Sequence, residues 1–170
     1  MLDKILSKLG FKSKVVVGIE DELVSDLVGL AEGHHPNEAL CFLTGTQLSE
    51  FESFDIQSSL SPELFLTSDN TSTQYLLTGF YIIPSTQSGP TKAQVNYHNI
   101  PITGNVLGSF HTHPNGVTKP SSADKNMFHR YPVNIIMGYP YTETSWEAYN
   151  VSRESVDKIE LPVFSNVHKK

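Results

Sequence analysis

The sequence predicts a single α/β domain built on one mixed β-sheet flanked by helices. Three observations predict it. Apolar residues recur at helical spacing in some segments and in unbroken strand-length runs in others, and the two kinds alternate along the chain. Neither internal repeats nor heptads interrupt that alternation. At 170 residues the chain is long enough to bury one proper core and short for two.

Leu2, Ile5, Leu6 and Leu9 stand at i, i+3, i+4 and i+7, which predicts a short amphipathic helix ended by Gly10. Val15, Val16 and Val17 read as a strand, so residues 1–19 are expected to form an N-terminal helix and first strand, and residues 20–170 the body of the domain. Val24, Leu27, Val28 and Ala31 share one face of a helix over residues 20–34. Glu20, Asp21 and Glu22 in its first turn favour the helix dipole. Gly33 and Pro36 stop it.

Ala39–Leu43 is a continuous apolar run, expected as a strand covered on both faces. Gly45 then allows a turn, and residues 51–57 are the expected hairpin partner. Residues 58–75, rich in Ser and Thr, predict a long loop. A strand over 76–84 and turn residues over 85–91 follow, and Ala93–Tyr97 is a modest strand. The remainder predicts strands at 105–113, Val133–Met137, Ser145–Val151 and Ile159–Phe164, with a helix from Ser121 to about His129.

Composition excludes several classes. A formal charge of −6 with scattered Lys and Arg is the opposite of a broad nucleic-acid footprint, so no nucleic-acid partner is expected. No stretch approaches the ~18 apolar residues of a membrane helix, and the first apolar run is too short for a secretory signal. The single cysteine, Cys41, excludes an intramolecular disulfide and suits a reducing compartment, so the expected location is cytoplasmic. Nothing in the sequence sets an oligomeric state.

The chemistry concentrates in Gly108–Asp124. Side chains two apart on a strand share a face, so His111 and His113 project together from the strand over 105–113. Pro114, Asn115, Gly116 and Pro120 then break the chain into a turn-rich loop. Ser121 opens a helix, and Asp124 lies three residues on, along the same side. Two imidazoles and a carboxylate so placed suit a zinc ion with one open position for water, which is how hydrolytic zinc sites are built. Ser121 is well placed to donate a hydrogen bond to an oxyanion. Spacing alone reaches metal-assisted hydrolysis and no further.

The pattern His-x-His, seven residues, Ser, two residues, Asp resembles the motif of the JAMM (MPN-plus) metalloproteases, and it stands intact as His111, His113, Ser121 and Asp124. That family places a glutamate just ahead of an apolar strand, and Glu38 before Ala39-Leu40-Cys41-Phe42-Leu43 matches it. The resemblance covers roughly residues 20–150 and is nearest to the compact single-domain archaeal members. It implies the MPN/JAMM, cytidine-deaminase-like architecture. It also implies one Zn2+ per chain with a catalytic water, Glu38 as general base, and Ser121 as oxyanion donor. The implied activity is an isopeptidase or peptidase that cuts after the C-terminal Gly-Gly of ubiquitin-like modifiers, with conjugates or precursors as partners. Processing of sulfur-carrier ubiquitin-like proteins is an alternative, and a non-catalytic MPN-type interaction scaffold another.

Each residue also has a plainer reading. An isolated His-x-His is most simply a pair of buried, hydrogen-bonded histidines. Ser-x-x-Asp after a proline is a helix capping box. His34 and His35 with Glu38 form a competing His-His-x-x-Glu set, although histidines at a helix C-terminus commonly complement its dipole. Cys41 within an apolar run is a buried small hydrophobe rather than a nucleophile. Ser109 lacks a Gly-x-Ser-x-Gly elbow, and Trp146 is most simply core. A two-histidine, one-carboxylate iron oxygenase fits the ligand set but lacks a cosubstrate signature. His113-Pro114-Asn115-Gly116 also echoes a loop of the DNA-repair-associated RadC group, which the acidic charge disfavours.

Overall fold

A computed structural model describes residues 13–56, 72–82, 87–89, 92–94, 106–151 and 155–170. The expected N-terminal helix over residues 2–9 lies outside them. The chain runs β1 (Ser13–Glu20), α1 (Asp21–His34), β2 (Leu40–Gln47), a 3-10 turn (Leu48–Glu50), β3 (Phe51–Ile56) and β4 (Ser72–Tyr81). It continues through β5 (Gln87–Gly89), β6 (Lys92–Gln94), β7 (Val106–His113), α2 (Ser122–Phe128), β8 (Val133–Gly138), β9 (Trp146–Val151), β10 (Val156–Ile159) and β11 (Val163–Lys169). Nine strands form one mixed sheet in the order β10-β9-β8-β7-β2-β4-β1-β11-β3, and β5 and β6 make a separate two-stranded ribbon. The α/β class and the single mixed sheet are as the sequence predicts.

The two helices cover opposite faces. Leu23, Val24, Leu27 and Ala31 of α1 pack with Cys41, Leu43, Phe110, Ile135 and Met137 in the main core. Phe128 of α2 packs with Ile136 and Tyr149 in a smaller one. Along β8, Val133, Ile135 and Met137 on the α1 side alternate with Asn134 and Ile136 on the α2 side, the period-two signature of a strand buried on both sides, and Phe110 of β7 faces α1. His111 follows Phe110, so it falls on the α2 face.

A buried polar pair ties α2 to that face. Ser109 and Asn134 are both fully buried. The Ser109 hydroxyl donates to Asn134 Oδ1 at 2.7 Å. Asn134 Nδ2 in turn donates to the carbonyls of Phe128 and Tyr131, each at 3.3 Å. Asn134→Leu would leave the hydroxyl and two carbonyls without these partners, at an expected cost of about 2–3 kcal/mol. Thermal unfolding should then fall by about 5–10 °C. A midpoint unchanged within error would mean the network contributes nothing.

Three boundaries differ from expectation. Of the expected hairpin partner over 51–57, Phe51–Ile56 forms β3, which pairs antiparallel with β11 at the sheet edge and not with the apolar strand, and β2 takes β4 and β7 as neighbours. The 3-10 turn redirects the chain, and Phe51 buries with Val17, Leu76 and Phe164 instead. The expected loop over 58–75 ends earlier, because Ser72–Gln74 already belong to β4, paired in parallel with β1. The span Ile159–Phe164 divides between β10 and β11, with buried Leu161 and Pro162 at the crossing. Of the expected strand Ala93–Tyr97, Ala93 and Gln94 lie in β6 and the remainder falls outside the described residues. No helix among the described residues is long and apolar enough to cross a membrane.

Candidate metal centre

β7 ends at His113 and β8, its parallel neighbour, ends at Gly138, so both strands deliver their C-terminal ends to one rim. His111 is nearly fully buried and His113 half-buried. Their Nε2 atoms lie 3.2 Å apart. Across from them, Asp124 Oδ1 is 3.1 Å from His111 Nε2 and Oδ2 is 3.5 Å from His113 Nε2. Among the described residues these three are the group whose ligand atoms converge, all within 4.8 Å of one another. Ligands held about 2.0–2.1 Å from a tetrahedral zinc stand about 3.3 Å apart, close to the 3.1–3.5 Å contacts within this cluster.

Local sequence explains the convergence. The strand period puts both imidazoles on the α2 face. Gly116, at φ +80°, lets the following loop turn back and lie against the end of β8. A Cβ at Gly116 would come within 2.7 Å of the Tyr139 carbonyl oxygen, and one at Gly138 within 2.6 Å of the Gly116 oxygen. Asp124 is held by the helix start. Ser121 is the N-cap of α2, its Oγ accepting from the Asp124 amide at 3.2 Å. Asp124 Oδ2 accepts from the Ser121 amide at 2.6 Å. Asp124 thus belongs to the capping box and to the cluster at once, and the two readings of Ser-x-x-Asp do not compete.

Protonation follows from these partners. His113 Nδ1 lies 2.5 Å from the Val117 carbonyl, which can only accept, so Nδ1 carries a proton and a neutral ring turns its Nε2 lone pair inward. Burial opposes charge on His113, but hydrogen bonds to Asp124 and Val117 and the charges of Asp124 and Glu38 together raise its pKa. Burial likewise opposes charge on Asp124, yet His111, His113 and Ser121 hold its carboxyl well below the usual carboxylate range. His111 Nδ1 is buried without a hydrogen-bond partner among the described residues, and its ring packs near Phe128 at 6.0 Å between centroids.

A metal bound at Nε2 must displace the second proton, the one a charged His113 carries on Nε2. Because that proton is held above the ordinary 6.5, zinc affinity should fall as pH drops through the raised value, beginning above pH 6.5. Chelator-competition titrations between about pH 8 and 6 check this; a flat affinity would contradict it.

Glu38 is half-buried, two residues ahead of Leu40, whose register partner is His111. Its charge reaches both His113 and Tyr141. His34 and His35 do not join it. His34 Nδ1 bonds the Leu30 carbonyl at 2.9 Å, and His35 stacks on Tyr139 with ring centroids 5.0 Å apart. Cys41 is buried, and burial pushes its thiol pKa up, away from reactivity.

Two residues absent from the sequence-level candidates lie close by. Thr112, between the histidines, bonds the backbone of Ala39. Tyr141 hydrogen-bonds His35 Nδ1 at 3.3 Å. The alternation of His-Thr-His was the available signal for Thr112, and no pattern in the sequence marked Tyr141.

Residues 20–149 match the family of prokaryotic homologs of the JAB domain. A probable metalloprotease of Haloferax volcanii is 33% identical over 147 residues, 86% of this chain and 81% of that protein. Among solved structures, a JAB1/MPN domain protein from Archaeoglobus fulgidus superposes with a TM-score of 0.55 at 24% identity, over 86% of this chain and 97% of its own. A structure described as a metalloprotease-like JAMM zinc site in the proteasome and signalosome gives 0.55 at 22% identity, covering 88% of this chain and 98% of that one. A third neighbour, a protein from Desulfitobacterium hafniense, gives 0.59 at 15% identity over 88% and 92%. Such low identities speak for the fold alone, but the family match spans most of the chain, and with it the histidine–aspartate cluster. The chain belongs to the prokaryotic branch of the JAB-domain, JAMM/MPN family.

Proposed function

We propose that the protein is a zinc metallo-isopeptidase that cuts after the C-terminal Gly-Gly of a ubiquitin-like modifier. The observation that carries this reading is the convergence of His111, His113 and Asp124 at zinc-ligand spacing beside Ser121 and Glu38. His111 and His113 through Nε2, and Asp124 through its carboxylate, hold one zinc per chain. Bound there, zinc supplies the Lewis acidity that makes water nucleophilic near neutral pH.

The Glu38 carboxylate takes the proton of the attacking water as its oxygen bonds to the carbonyl carbon. Ser121 accepts its capping bond through a lone pair, so its O–H can be donated to the oxyanion. As the C–N bond breaks, Glu38 passes its proton to the departing lysine amine, and the products are a carboxylate and an amine. Kinship to a probable metalloprotease supports peptide-bond hydrolysis. The ubiquitin-like substrate follows from the family resemblance, and conjugates or precursors, sulfur-carrier fusions included, share the tail chemistry.

The test is cleavage of a ubiquitin-like protein isopeptide-linked through Gly-Gly to lysine, by wild type, by Glu38→Ala, and by wild type with a zinc chelator. Loss in both controls supports the reading. Cleavage that survives chelation would sink it. A zinc-free protein inert on every conjugate would leave the interaction scaffold instead. Adding the modifier tail as a strand along residues 93–97 is part of the same proposal. Val95→Pro should then raise KM for protein conjugates while leaving zinc content unchanged.

A further inference from the structure

Thr112 lies between the two histidines, so its side chain points to the opposite face of the sheet. It is fully buried. Its amide donates to the Ala39 carbonyl at 3.0 Å. Its Oγ1 accepts from the Ala39 amide at 2.8 Å. In an antiparallel rung, opposed residues exchange two main-chain hydrogen bonds. Here the hydroxyl replaces one of the two carbonyl acceptors. β2 begins at Leu40, so this substituted rung is the last tie before the chain leaves the ladder, and Glu38 is the next residue. Tyr141, whose phenol the Thr112 hydroxyl also influences, meets His35 Nδ1 at 3.3 Å.

We propose that Thr112 is a positioning residue: its hydroxyl clamps Ala39 and so fixes the Glu38 backbone against the two histidines that flank Thr112 itself. The residue between the metal-binding side chains thereby sets where the base stands. This rests on the reading of Glu38 as the base. A buried threonine that merely satisfied an amide would contribute to stability and nothing else. A clamp acts through Glu38 and should vanish when Glu38 cannot accept a proton.

Thr112→Val removes the hydroxyl and keeps the branched shape; Thr112→Ser keeps the hydroxyl. Thr112→Val should lower kcat about 10–100-fold with KM within about twofold, the range typical of residues that orient a catalytic group. Zinc content and affinity should stay near wild type, and Thr112→Ser should recover most of kcat. In a Glu38→Gln background, adding Thr112→Val should cost less than about twofold, because the two changes are coupled. Independently of catalysis, exchange of the Ala39 amide hydrogen should speed up about tenfold or more in Thr112→Val and not in Thr112→Ser.

Full activity in Thr112→Val, or an equal loss in both backgrounds, overturns the proposal. So does an Ala39 amide that stays protected. Should Thr112→Val not fold, Thr112→Ala carries the same comparisons. Undiminished cleavage by Glu38→Gln would strike the assignment of the base, whereas loss in Glu38→Gln beside full activity in Thr112→Val strikes only the clamp.

Discussion

Asp124→Ala is expected to lose stoichiometric zinc and, with it, hydrolysis. The carboxylate contacts both imidazoles, at 3.1 and 3.5 Å, and two imidazoles alone make too sparse a set for a retained hydrolytic zinc. The same substitution breaks the capping box, because Oδ2 also accepts from the Ser121 amide. Losing a cap costs about 1 kcal/mol, or roughly 2–4 °C in Tm for a chain of this size. Asp124→Asn separates the two effects: an amide oxygen can still accept from Ser121, but the anionic charge is gone. Both variants should fail to hold zinc, and Asp124→Ala should also melt lower than Asp124→Asn when both are measured with chelator. Metal analysis and thermal melts decide it. Full zinc occupancy in Asp124→Ala would mean that the ion is held elsewhere.

Glu38→Gln should lower kcat/KM by about 10²–10⁴, the usual worth of a general base, while zinc content stays at wild-type level. In transition-state terms that is about 2.7–5.5 kcal/mol. Glutamine keeps the size and hydrogen-bonding reach of the side chain and cannot take the proton of water. Kinetics on a Gly-Gly-linked lysine conjugate, with zinc measured on the same samples, give the answer. A loss of less than tenfold would remove Glu38 from the role of base and leave that role to a residue outside the cluster.

The cluster was legible in the sequence because each half of it is local. His111 and His113 need only the two-residue period of one strand, and Ser121 and Asp124 need only the first turn of one helix. Both patterns survive whatever the rest of the chain does. The helix over Asp21–His34 was legible for the same reason, its apolar stripe being a property of a single element. Glu38 was different: nothing in its neighbourhood separated it from Glu32, and only the family pattern chose it.

Pairing across long separations was not legible. β3 leaves β2 for β11, more than a hundred residues on, because Phe51 finds Val17, Leu76 and Phe164 to bury against and a return onto β2 would meet β4 and β7 already in place. The Thr112–Ala39 clamp spans 73 residues, and the Ser109–Asn134 pair 25. Such contacts depend on which strands become neighbours and in what register. Competition for buried apolar area and ladder hydrogen bonds decides both over the whole sheet. Local periodicity therefore specified which faces the two histidines and the aspartate occupy, the cap and the class of fold. Tertiary structure decided the strand order, the residues that brace the site, and how close the carboxylate comes to the two imidazoles. The physical reason is that a side chain's direction is set within its own element, whereas its distance from another element is set by everything packed between them.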